Sequence, residues 1–76
     1  MPKAPRVSGK EIVAALRRGG YVLSHVRGSH HYLRRPGAKR LVVVPVHGNQ
    51  IVPVGTLLSI LRQTELSVEE LSALLG

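Results

Sequence analysis

The stretch Arg27-Gly28-Ser29-His30-His31-Tyr32-Leu33-Arg34-Arg35-Pro36 gathers two of the four histidines, three arginines and a serine into ten positions. An imidazole changes its protonation near neutral pH and can take a proton from a ribose 2′-hydroxyl. Guanidinium groups pair with phosphate oxygens. A Gly28-Ser29 turn can offer backbone amides to an anion, and Arg27, Arg34, Arg35, Lys39 and Arg40 can hold a chain of phosphates by charge. The chemistry this combination fits is phosphate chemistry on RNA, with His30 or His31 as the titrating group. On spacing alone, the plainer alternative stays open: a histidine that is only a polar residue on a strand.

Two other chemistries fit poorly. Zinc sites draw on several His, Cys or carboxylate ligands, but there is no cysteine, and His30 and His31 are adjacent in a strand, so they point to opposite faces. A nucleophilic Ser29 would need a histidine aimed at it and an acid orienting that histidine. The four acids, Glu11, Glu65, Glu69 and Glu70, fall on expected helices or just beyond one. No cofactor is expected.

The charge is unevenly placed. Net charge is +7, with ten Lys/Arg against Glu11 in residues 1–50, and Arg62 against three glutamates in residues 51–76. Such a basic face suits nucleic acid, an anionic membrane or an acidic protein. The 76 residues fit one small domain, and a 43% hydrophobic content predicts a folded one. With two tyrosines as the only aromatics, the core must be aliphatic. Absence of cysteine suits a reducing cytoplasm. No apolar run approaches the roughly 20 residues that span a bilayer, and the basic N-terminus lacks the apolar region of a signal peptide.

The elements that must position these groups follow from local pattern. Residues 1–7 read as a basic flexible tail, and 8–76 as a single domain. Ser8-Gly9-Lys10-Glu11 has capping-box spacing, and Ile12, Val13 and Leu16 continue at helical spacing to a Gly19-Gly20 stop. This first helix leaves Lys10, Arg17 and Arg18 for water or a ligand. Strands are expected over 21–26, 30–35 and 40–46, joined by Arg27-Gly28-Ser29 and by Pro36-Gly37-Ala38-Lys39. Connections this short make an antiparallel meander. A loop over 47–55 leads to a helix over 56–63, and Ser67-Val68-Glu69-Glu70 repeats the capping box before a short last helix. The fold class is α+β, in the order α-β-β-β-α-α, with the helices on one face of a three-stranded sheet. Leu33 should mark the core face, which sends His31 toward the helices and His30, Tyr32 and Arg34 to the open face, unless a bulge near Gly28 inverts the alternation.

The segments Leu16-Arg17-Arg18-Gly19-Gly20-Tyr21, Arg27-Gly28-Ser29-His30-His31, Val44-Pro45-Val46-His47-Gly48 and Gly55-Thr56-Leu57-Leu58-Ser59-Ile60-Leu61-Arg62-Gln63, in this order, resemble the HicA toxin family, also described as YcfA-like small proteins. The resemblance spans about Val7 to Leu75. It implies a double-stranded-RNA-binding-domain-like fold and the toxin of a type II toxin–antitoxin pair, a metal-independent mRNA interferase. It implies mRNA and a HicB-type antitoxin as partners, and His30, after the Gly-Ser pair, as the functional histidine. The RNA-contacting set expected around it is Lys10, Arg27, Gly28, Ser29, His31, Arg34, Arg35, Lys39 and Arg40. Two segments depart from the family pattern. Gly48-Asn49-Gln50-Ile51-Val52-Pro53-Val54 is more apolar where lysines are frequent, and Thr64-Glu65 stands where small residues and glycine are frequent. Two other function classes fit the charge: an RNA-binding module without catalysis, and an interaction protein for an acidic partner.

Overall fold

Both Ser-x-x-Glu sequences start helices in the computed structural model, which describes residues 4–76. Ser8 Oγ accepts from the Glu11 amide at 3.2 Å while the Glu11 carboxylate accepts from the Ser8 amide at 2.9 Å. That reciprocal cap opens α1 (Gly9–Arg18). Ser67 and Glu70 make the same pair at the start of α3 (Val68–Leu75). The Gly19-Gly20 stop holds, with the left-handed residue at Gly20.

Three antiparallel strands follow α1: β1 (Val22–Arg27), β2 (His30–Arg34) and β3 (Val42–Pro45), in spatial order β1-β2-β3. The third strand is shorter than the expected 40–46. As an edge strand it tolerates Pro45 at its end. Between β1 and β2 lies a two-residue turn with Gly28 at φ +58°, the first central position that glycine takes in a hairpin turn of the II′ kind. The helix α2 (Val54–Thr64) begins two residues before the expected start, directly after Pro53. Gly55 does not delay it, because the first amides of a helix have no intrahelical partner to lose.

Helices cover one sheet face. Leu33, Val42 and Val44 from the sheet are buried with Ile12, Ala15 and Leu16 of α1, Leu57, Ile60 and Leu61 of α2, and Leu71 of α3. Tyr21 closes one edge of this aliphatic core, donating from its hydroxyl to the Thr64 carbonyl at 3.4 Å. Val7 lies inside the stretch expected as a tail, yet it is buried, and its carbonyl accepts from the Val52 amide at 2.8 Å. Residues 1–3 of that stretch lie outside the described residues. No helix among the described residues is long and apolar enough to cross a membrane.

The turn between α2 and α3 carries a local cost. Glu65 caps α2 at φ +59°, a conformation that crowds the Cβ of any residue but glycine. Thr64 is buried beside it and donates to the Ile60 carbonyl at 2.9 Å. Glu65→Gly is therefore expected to stabilise the domain by about 1 kcal/mol, the relief of the left-handed strain less the added unfolded-chain entropy. A urea melt with an unchanged or lower midpoint would contradict that origin of the cost.

Candidate functional site

The open sheet face is set by a bulge in β1. Val22 pairs with Arg34 and Leu23 with Leu33, then the register shifts so that His25 pairs with Tyr32, Val26 with His31 and Arg27 with His30. Ser24 is the extra residue. Without it, strict alternation from Leu23 would turn His25 and Arg27 toward the helices. With it, Val22, His25 and Arg27 share the open face with His30, Tyr32 and Arg34. The shift sits at Ser24 rather than near Gly28, so the expected parity of β2 is kept. His25 and Tyr32 stack, with ring centroids 4.4 Å apart and an 8° interplanar angle, and Ser24 Oγ lies 3.0 Å from His25 Nδ1.

His30 is exposed as the first residue of β2, with Arg27 opposite on one side and Pro45 on the other. The turn beside it is pinned from β3: the Val46 amide donates to the Ser29 carbonyl at 2.6 Å. Gly28 and Ser29 form this turn. His30 also lines a cavity of about 400 Å³ with Pro45, His47, Gln50, Ile51, Val52, Pro53 and Thr56. The N-terminus of α1 abuts the same end of the sheet, because Gly9 lies against the Pro45 carbonyl. Lys10, exposed in that first turn, is carried there with it.

The remaining expected residues fall elsewhere. His31 faces the helical side between Val26 and Val44, half-buried, with Nδ1 buried and unbonded among the described residues. It does not share a face with His30. Arg34 is exposed at the far end of the open face. Arg35 turns over the Tyr21 ring at 5.4 Å from its centroid. With Arg40 and Arg62 it lines a second cavity, of about 430 Å³, whose other walls include Tyr21, Thr64 and Glu65. Lys39 is exposed in the connection before β3.

Two histidines absent from the expected contact set, His25 and His47, thus stand on the open face and in the His30 cavity. The register of β2 with β3 is the signal for His47: pairing His30 with Pro45 brings the residues just after Pro45 to the same end. Among the described residues no three His, Asp or Glu side chains cluster closely enough to hold a metal ion.

This arrangement can bind a polyanion across the open face and present the exposed imidazoles of His30 and His47 to it at a cavity. None of the acids is on a strand: they stand in the caps of α1 and α3 and at the end of α2. A family model described as the HicA toxin of bacterial toxin–antitoxin systems matches residues 9–66. No curated protein matches the chain significantly.

Proposed function

The chain belongs to the HicA toxin family of bacterial toxin–antitoxin systems, and from that premise we propose that it is a metal-independent endoribonuclease acting on mRNA in the cytoplasm. His30 serves as general base on the 2′-hydroxyl. The observation that carries this is the place of His30: exposed on the basic open face, opposite Arg27, and at the wall of a cavity of about 400 Å³. A neutral imidazole there accepts the 2′-hydroxyl proton, and the 2′-oxygen attacks the adjacent phosphorus. Arg27 and Arg34 hold backbone phosphates along the face. His25 and Tyr32, already stacked, offer a ring surface against which an unpaired base can lie.

The partner that membership implies is an antitoxin, here proposed as HicB-type. Ile51, which lines the His30 cavity, and Val54 and Leu58 of α2 are large apolar residues left exposed. Val54 and Leu58 are four apart on α2 and share its surface. A protein seated on Ile51 would also cover the cavity that residue lines, which accounts for an apolar residue there.

Incubating the protein with end-labelled mRNA in EDTA at low salt tests the activity. Discrete fragments are expected. Intact RNA that is nonetheless bound would make the chain an RNA-binding module. Arg34→Ala is expected to weaken RNA binding and to flatten its dependence on log salt by about 0.7–0.9 for one lost phosphate contact. An unchanged slope in filter binding would place Arg34 off the RNA path.

A further inference from the structure

Transfer of phosphorus from a 5′-oxygen to a 2′-oxygen needs two proton movements, and His30 accounts for one. We infer that His47 is the second acid–base group, protonated at the start and donating to the departing 5′-oxygen. This rests on reading the His30 cavity as a ribonuclease site.

The geometry begins at Pro45, the register partner of His30. One residue on, the Val46 amide is held by the Ser29 carbonyl at 2.6 Å, so the chain leaving β3 is fixed beside the turn that carries His30. His47 comes next, and its carbonyl accepts from the Gln50 amide at 3.0 Å, which closes a tight turn through Gly48-Asn49. The far side of that turn is tied down as well: Ile51 pairs with Ser8, and the Val52 amide bonds the Val7 carbonyl. A loop anchored at both ends holds His47 at the wall of the cavity that His30 also lines. At about 400 Å³ the cavity is within the size range of small-ligand sites.

The lining also leaves few other candidates. Gln50 and Thr56 are polar but do not titrate near neutrality, and Pro45, Ile51, Val52 and Pro53 are apolar. The two imidazoles are therefore the lining side chains able to exchange protons there. Charged neighbours on the packed elements are Arg27, opposite His30, Lys10 in the first turn of α1, and Glu11, whose carboxylate is engaged in the cap with Ser8.

In the step itself, His30 takes the 2′-hydroxyl proton, the 2′-oxygen bonds to phosphorus, and the bond from phosphorus to the 5′-oxygen breaks. His47 gives its proton to that oxygen. The products are a 2′,3′-cyclic phosphate and a 5′-hydroxyl, with His30 left protonated and His47 neutral. Exchange with solvent restores both.

The test uses an RNA that the wild type cleaves, made with either oxygen or sulfur at the 5′-bridging position of the mapped site. A thiolate leaves without being protonated. His47→Ala and His47→Gln are expected to cut the oxygen substrate about 10²–10⁴-fold more slowly, and to cut the sulfur substrate within about tenfold of the wild-type rate. The pH profile on the oxygen substrate should lose its fall at high pH, since that limb reports the acid. His30→Ala should be impaired on both substrates. Equal impairment of the His47 variants on both, or none on either, would overturn the assignment while leaving His30 in place. If the wild type cleaves no RNA, the ribonuclease reading fails and the role of His47 with it.

Discussion

Replacing His30 with alanine is expected to lower RNA cleavage by about 10²–10⁴-fold, the usual contribution of one positioned acid–base group, and to relieve any growth arrest the wild type causes. RNA binding should fall little, because the phosphate-pairing charge is carried by Arg27, Arg34 and their neighbours. The fold should survive: His30 is exposed, and its contribution to the sheet is its backbone, paired with Arg27 and Pro45. Circular dichroism and gel shift on the variant separate these effects. Undiminished cleavage or growth arrest would remove His30 as the base.

Gly9→Ala is the second large effect, and its sign is opposite to the usual one. In a helix, alanine in place of glycine ordinarily stabilises by about 1 kcal/mol. Here a Cβ would run into the Pro45 carbonyl oxygen and lie 3.1 Å from the Val46 Cα. Both are backbone atoms of the strand end that pairs with His30, so they cannot rotate aside. Either α1 lifts from β3 or the strand shifts, at a cost of about 2–3 kcal/mol for overpacking, or roughly 10–20 °C in Tm for a domain of this size. Because Pro45 also walls the His30 cavity, cleavage should fall with stability. A Gly9→Ala protein melting at or above the wild-type midpoint would show that the helix does not approach the strand this closely.

Much of the fold was legible in the sequence because its signals are local. The capping boxes at Ser8 and Ser67, the Gly28-Ser29 and Pro36-Gly37 turns and the valine-rich third strand each act within a few residues, and together they yield the α-β-β-β-α-α order. Leu33, buried among apolar residues, fixed the face of β2 and with it the exposure of His30. The bulge at Ser24 was not legible, since Val22, Leu23 and Val26 satisfy either parity of β1. His25 consequently reached the open face unforeseen. The place of His47 is hidden from the sequence for a related reason: it sits in a loop, and only the cross-strand register of His30 with Pro45 brings it to the cavity. The early start of α2 reflects the tolerance of a first helical turn for Gly55, which composition reads as a breaker.

The central claim, that the open face around His30 turns a ribose 2′-hydroxyl into the nucleophile, is tested most directly by the ends of the fragments. Mass spectrometry of RNA cut by the wild type in EDTA should find 2′,3′-cyclic phosphate, or the 3′-phosphate formed when it opens, opposite a 5′-hydroxyl. A single 2′-deoxy substitution at the cut site should abolish cleavage there. Fragments ending in 3′-hydroxyl and 5′-phosphate, from an RNA still cut at its 2′-deoxy position, would mean that water attacks instead and would contradict the account.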